Sequence, residues 1–256
     1  MIKWYGQELC NAGFLINLKH REDRYSRARK NLKFAKLTGV KRFEAVVVSD
    51  PNFIKYGCTQ SHIEIAKKQI KNNWPYVLYL EDDIVTDFFY DYQTDNSKID
   101  KKQLVENIIA DFKKQKPDVL WFGVRPEGET KKVTDTSVSA GKTLMSHAYI
   151  GSIKYARFLI EYLKYKENNF FSKNWPIDYF ISQIGTKDAW ELDVFPNEEF
   201  KNNDLKVQIV SPMIFTQGNS FSDLTDNYVN YEIWVQGSYN AYVNATNLNI
   251  KKFLYE

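Results

Sequence analysis

The stretch VLYLEDDIV, residues 77–85, decides how the rest of the chain is read. Four apolar or aromatic residues run into Glu81, Asp82 and Asp83, and apolar character returns with Ile84 and Val85. A run that is apolar at every position is expected of a strand covered by helices on both faces, as in the parallel sheets of α/β proteins. Ligands of such open sheets bind in the crevice beyond the carboxyl ends of the strands. Alternation along a strand predicts that Glu81 and Asp83 share a face while Asp82 points away. Two converging carboxylates cost free energy unless a proton or a cation lies between them. Oxygen-only ligands favour Mg²⁺ or Mn²⁺, whose usual fellow ligand is a substrate phosphate. The plainer reading of an acidic triplet is the end of a strand in solvent.

Outward from this strand the chain alternates short apolar runs with helically spaced segments. Residues 13–18, GFLINL, read as a first strand, and Tyr25, Ala28, Leu32 and Ala35 form the stripe of an amphipathic helix that Gly39 brings to a stop. RFEAVVV, 42–48, reads as a second strand, and Ser61 with Glu64 resembles the capping box of a helix bearing Ile63, Ala66 and Ile70. A loop over 86–100, a helix near 101–115 and a strand at 118–124 follow. Residues 125–143 lack periodicity and read as a mobile segment, and Ile153, Ala156, Ile160 and Leu163 mark a further helix. The last third mixes short strands with loops and a tail rich in Tyr and Asn. The expected architecture is α/β: a mainly parallel sheet flanked by helices, with an irregular C-terminal portion.

Composition bounds the function. The 256 residues carry 35 Lys and Arg against 32 Asp and Glu, a net charge of +3, which is not the footprint of a nucleic-acid binder. Aromatic residues make up 16%, more than a core alone asks for, so some are candidates to line a groove. Cys10 and Cys58 form no CxxC pattern, as expected of a reducing compartment. No apolar run approaches the ~18 residues of a transmembrane helix, and the start of the chain lacks the pattern of a signal peptide. The expected location is cytoplasmic, with Lys251 and Lys252 offering weak basic character for peripheral membrane contact.

Arg21 and Arg24 follow the first strand at the same edge of the sheet, and the planar guanidinium suits phosphate. Together with the acidic strand end they suit a nucleotide-linked donor. Neither GxGxxG nor GxxxxGK[ST] occurs, so no dinucleotide fingerprint and no P-loop is present. Asn17, at the end of the first strand, is a candidate to contact the nucleobase or ribose, and Asp82 to reach the ribose or the sugar hydroxyls.

Eight motifs in order carry a resemblance: LINLKHREDR from Leu15, FEAV from Phe43, GCTQSH at 57–62, VLYLEDDI from Val77, LWFG at 120–123, HAYIGSIKYARFLI at 147–160, PIDYF at 176–180 and SPMIFTQGNSFSD at 211–223. The chain resembles glycosyltransferase family 25, the lipooligosaccharide and procollagen galactosyltransferases, over about residues 14–223. It departs from the family pattern at Lys19, where members often have an acid, and in the tail after 225. The resemblance implies a single GT-A-like domain over 1–256, with a nucleotide-binding part near 13–125, an acceptor and catalytic part near 126–225 and a tail over 226–256. It implies a UDP-sugar donor, often UDP-galactose, a divalent cation (Mn²⁺ or Mg²⁺) and transfer with inversion to a glycan, glycolipid or glycoprotein, as in lipopolysaccharide biosynthesis. Glu81 and Asp83 would hold the cation. Asp178 would be the general base, with Asp223 in reserve, and its plain alternative is a carboxylate at a helix start. The Ser-His match makes His62 a candidate nucleotide contact, against packing beneath the acidic strand. Gln217 would bond donor or acceptor, and His147 with Tyr149 would line the sugar pocket.

Two other classes remain open on the sequence. A nucleotidyltransferase shares the acidic strand end but leaves the later motifs unexplained. A non-catalytic carbohydrate-binding module would use the aromatic surplus for stacking but has no need of paired carboxylates.

Overall fold

A computed structural model of the chain describes residues 1–49, 54–86, 100–161, 205–210 and 214–217, with short strand segments within 93–98 and at 194–196, 220–222 and 227–229. Asp178, Asp223, Lys251 and Lys252 lie outside the described residues.

Two short strands open the fold, β1 (Ile2–Trp4) and β2 (Gln7–Cys10). They are joined through Tyr5 and Gly6 at φ 47° and 83°, the left-handed pair that a two-residue turn between twisted strands demands. The chain continues through β3 (Ala12–Asn17), helix α1 (Glu22–Phe34), β4 (Leu37–Thr38), β5 (Lys41–Glu44), helix α2 (Ile54–Lys71), β6 (Tyr76–Glu81) and β7 (Ile84–Val85). Next come β8 (Gln93–Thr94), β9 (Ser97–Lys98), helix α3 (Lys101–Gln115), β10 (Val119–Lys132), β11 (Ser137–Ser152) and helix α4 over 153–161. Strands β12 (Val194–Pro196), β13 (Val207–Val210), β14 (Thr216–Gln217), β15 (Ser220–Ser222) and β16 (Asn227–Val229) complete the described elements.

The fold is α/β, and its main sheet is mixed. Strands β5, β3 and β6 run parallel, the geometry expected where helices make the crossovers. Strand β11 then lies antiparallel beside β6, with Tyr149 opposite Tyr79, because it returns from β10 by a hairpin. At that edge β13 runs parallel to β10 and antiparallel to β11.

Alternating side chains of β6 divide the interior in two. Val77 and Tyr79 face one cluster with Phe14, Ile16, Trp121 and Tyr149, covered by α2 (Ile63, Ile65, Ala66) and α4 (Tyr155, Ala156, Leu159). Leu78 and Leu80 face the other with Leu15, Leu120, Phe122 and Ile150, covered by α1 (Ala28, Leu32) and α3 (Val105, Ile108, Ile109, Phe112). The β1–β2 hairpin adds Ile2, Trp4 and Leu9 to this second cluster. Helices on both faces explain why 77–80 is apolar throughout. Helix α3 starts where Asp100 Oδ1 accepts from the Lys102 and Gln103 amides and ends at Lys116 in the left-handed region. Among the described residues no helix is long and apolar enough to cross a membrane.

Three local expectations are corrected. Residues 125–143 belong to the β10–β11 hairpin, whose ladder continues out to Lys132 and Val138. At its tip the Val133 and Thr134 amides donate to the Ser137 carbonyl, and Ser137 and Val138 pair with β13, where Val138 enters the first cluster. Ser61 does not start a helix, because α2 already begins at Ile54. Its hydroxyl donates to the Gly57 carbonyl (2.8 Å) and accepts from the Val46 amide (2.9 Å), which ties the chain after β5 to the helix. The strand expected over 42–48 is shorter, and its ladder with β3 ends at Glu44.

Gly123 sits where strands and the chain before β14 crowd most closely. A Cβ there would lie 1.6 Å from the Phe215 carbonyl oxygen and 2.7 Å from His147 Nε2, whereas a Cβ on Gly6 meets nothing within 4 Å. Gly123→Ala is expected to cost about 3 kcal/mol or more, because backbone must move. Gly6→Ala should cost only about 1 kcal/mol, from the positive φ. Urea denaturation of both variants checks this, and equal losses would contradict it.

Candidate functional site

The carboxyl ends of β3 and β6, the start of α1 and the turn between β6 and β7 meet at one edge of the sheet. The strand ends at Glu81, and Asp82 and Asp83 form the turn. The alternation expected to carry Asp83 to the same face as Glu81 therefore stops one residue too early.

Both turn carboxylates are buried against α1. Arg24 Nη2 lies 3.0 Å from Asp82 Oδ1 and 2.9 Å from Asp83 Oδ2. Asn17 donates from Nδ2 to Asp82 Oδ2 (2.6 Å) and to the Arg21 carbonyl (3.0 Å). Its own Oδ1 accepts from Arg42 Nη2 (2.5 Å). Asn17 is 1% exposed and its amide is committed on both sides, so it orients Asp82 and the loop into α1. Asn31, two helical turns beyond Arg24, donates to the Ile84 carbonyl (2.8 Å) and holds the far side of the turn.

Burial raises the pKa of Asp82 and of Asp83 above the carboxylate range. The Arg24 guanidinium opposes the shift at both, and Glu81 adds to it at both. Taking two carboxylates from water for one bridging guanidinium is expensive. The turn thus concentrates more negative charge than Arg24 alone balances. Arg21 lies beside it in a bidentate pair with Asp23, Nε and Nη2 each 3.0 Å from a carboxylate oxygen, which holds Asp23 down at about 2.

Glu81 faces α2 instead. His62 Nε2 is 3.2 Å from Glu81 Oε1, and His62 Nδ1 is 2.8 Å from the Tyr149 hydroxyl. The imidazole is fully buried and stacked in series with Tyr79 and Tyr149, at centroid distances of 6.0 and 5.7 Å and interplanar angles of 5° and 9°. Tyr79 is fixed in turn through its hydroxyl, which donates to Gln69 Oε1 (2.8 Å). His62 packs beneath the acidic strand, the plainer of its two expected roles.

His147 is also buried, and its Nε2 lies 3.3 Å from the Phe215 carbonyl. Desolvation drives its pKa from 6.5 down to about 4, so the ring stays neutral at physiological pH, with Nε2–H as donor. Gln217 lies in β14, whose backbone pairs with β7 so that Gln217 is opposite Ile84, next to the acidic turn. The described residues therefore gather Asn17, Arg21, Arg24, Asp82, Asp83 and the Gln217 backbone at one sheet edge, with Glu81 and His62 on its α2 side.

Two participants were not singled out from sequence. Arg42 donates to Asn17 and to the Lys19 carbonyl (3.1 Å) and lies 4.3 Å over the Tyr25 ring, clamping the loop before α1. Its signal was weak: one Arg at the start of a strand. Cys58 sits one helical turn before His62, with Sγ 4.0 Å from Glu81 Oε1.

The model of a protein family described as glycosyltransferase family 25 (LPS biosynthesis protein) matches residues 53–181, half of the chain, including Cys58, His62, Glu81, Asp82, Asp83 and the position of Asp178. No curated protein matches the chain.

His147 gives the site a pH signature. The unfolded chain binds a proton at this residue near pH 6.5 and the native fold only near pH 4, so native stability falls as pH drops through that window. The slope from one group is at most about 1.4 kcal/mol per pH unit. His147→Gln, which keeps a donor toward the Phe215 carbonyl, should flatten the fall in Tm between pH 6.5 and 4.5. An unchanged slope would show that the acid sensitivity lies elsewhere.

Proposed function

We propose, for a chain that belongs to glycosyltransferase family 25 and is therefore a glycosyltransferase, that it transfers a hexose, galactose in first rank, from a UDP-sugar to a hydroxyl of a glycan, glycolipid or glycoprotein with inversion. The observation that carries this reading is the pair of buried carboxylates, Asp82 and Asp83, held by Arg24 at the carboxyl end of β6. It lies where open α/β sheets bind nucleotides.

A divalent cation suits this turn. Its donors are carboxylate oxygens, as Mn²⁺ and Mg²⁺ prefer, and two buried carboxylates meet there on one guanidinium nitrogen of Arg24. Asp83 would hold it; Glu81, the second ligand expected from the sequence, turns instead toward His62 on α2. When bound, the ion neutralises charge that grows on the diphosphate leaving group.

The chain's own residues do the rest. Arg21 adds positive potential for the diphosphate at the edge of the site. Asp82 positions the Arg24 guanidinium while Asn17 fixes Asp82, in place of the direct ribose contacts expected of both. His62 orients Glu81 rather than meeting the nucleotide. Gln217 is brought to the rim for contact with donor or acceptor. In the transfer itself the acceptor oxygen bonds to the anomeric carbon from the face opposite the departing diphosphate. The anomeric carbon–oxygen bond to UDP breaks, and the acceptor proton passes to a general base, for which Asp178 is proposed.

Thermal unfolding with UDP-galactose, UDP-glucose and their N-acetylhexosamine counterparts, in Mn²⁺ and in EDTA, tests the donor class without an acceptor. Ligand at a hundred times its Kd stabilises by about 2.7 kcal/mol, several degrees in Tm for a chain of this size. The expected result is a shift that needs metal, selects one sugar and disappears in Asp83→Asn. The absence of a shift with every UDP-sugar would overturn the donor assignment. Release of pyrophosphate in place of UDP would make the enzyme a nucleotidyltransferase.

A further inference from the structure

We infer that Cys58, His62 and Glu81 form a second metal centre, chemically distinct from the carboxylate turn and suited to a borderline-soft ion, Zn²⁺ in first rank. The inference goes beyond the donor-site reading and does not rest on it. Cys58 and His62 are four residues apart on α2 and therefore project from one helix face, toward the end of β6. Cys58 Sγ, a ring nitrogen of His62 and a carboxylate oxygen of Glu81 all lie within 4.8 Å of one another.

The individual distances fit a tetrahedral ion. Zn–N and Zn–O bonds of about 2.0–2.1 Å and a Zn–S bond of about 2.3 Å set neighbouring ligand atoms about 3.3 Å (N to O) and about 3.5 Å (S to O) apart. The structure has 3.2 Å from His62 Nε2 to Glu81 Oε1 and 4.0 Å from Cys58 Sγ to the same oxygen. The nitrogen and oxygen are already at ligand spacing, and the sulfur, within 4.8 Å of the imidazole nitrogen, is the atom that must move inward.

The surroundings are those of a metal-binding histidine. A ligating imidazole normally has its second nitrogen hydrogen-bonded, which fixes tautomer and ring plane. Here Nδ1–H can donate to the Tyr149 hydroxyl at 2.8 Å, leaving the Nε2 lone pair toward Glu81 and Cys58. The stack with Tyr79 and Tyr149 leaves the ring little freedom to turn away.

Donor type decides the ion. A thiolate and an imidazole select Zn²⁺ over Mg²⁺ or Mn²⁺. Thiolate and carboxylate together cancel the charge of a divalent cation, with the Cys58 thiol proton released to solvent on binding. Cys58 is half-buried, which leaves a route for the ion, and three protein ligands leave a fourth position for water. The other cysteine does not compete: burial pushes the Cys10 thiol up to about 12.

Co²⁺ added to the reduced, chelator-stripped full chain tests this, because a cobalt–thiolate bond gives a charge-transfer band in the near ultraviolet that carboxylates and imidazoles cannot produce. The expected result is a band that saturates at one equivalent, is bleached by Zn²⁺, disappears in Cys58→Ser and shifts to at least tenfold weaker affinity in Glu81→Gln. Cys58→Ser changes one atom at a half-buried position, and circular dichroism verifies its fold. Asp83→Asn should keep the band while losing the UDP-sugar shift, so the two readings fail separately. No band in folded wild type, or a band that survives Cys58→Ser, would overturn the inference.

Discussion

The Arg24 guanidinium, set between the carboxylates of Asp82 and Asp83, is the contact on which the functional edge of this protein depends. Buried carboxylates without a cation would be expelled or protonated, and either outcome would move the β6–β7 turn. Arg24 can reach them because α1 follows β3 directly and packs Ala28 and Leu32 against the sheet. The turn can accept it because Asn31 secures its far end at the Ile84 carbonyl. The acidic edge is thus built by the first crossover as much as by the strand that carries the acids.

That division of labour separates β6 into two chemistries one residue apart. Glu81, still in the strand, turns toward α2 and meets His62, while Asp82 and Asp83 turn toward α1. An acidic triplet is electrostatically improbable as a unit and reasonable as two sites on opposite helices. Each helix brings its own counter-group, guanidinium from α1 and imidazole from α2.

Much of the scaffold could be read from the chain because its signals are local. The doubly covered strand at 77–80, the stripe at Ala28, Leu32 and Ala35, and helix α3 follow from local pattern, whereas the Asp100 cap of α3 came from the structure. The β10–β11 hairpin was missed because its outer part is polar and rests on backbone pairing, which leaves no hydrophobic period. Ser61 misled because a hydroxyl bonding four residues back looks in sequence like one that caps. The site was legible in its residue types and not in its partnerships: that Asn17 is spent on Asp82 and Arg42 is a fact of strand register between β3, β5 and β6.

Trp4 lies in the second hydrophobic cluster with its ring 5.5 Å from Phe122 and 6.2 Å from Phe215, and its indole nitrogen donates to the Ala35 carbonyl (2.9 Å). Trp4 is thus completed by a ring that lies far along the chain. At ribosomal speeds of about 5–20 residues per second, roughly ten to forty seconds separate their emergence. During that interval the N-terminal hairpin has its own ladder but no finished bed for its tryptophan. Until Phe215 is made, the face of the indole that it covers has only Phe122 and the Ala35 carbonyl for company, so the β1–β2 hairpin docks in stages.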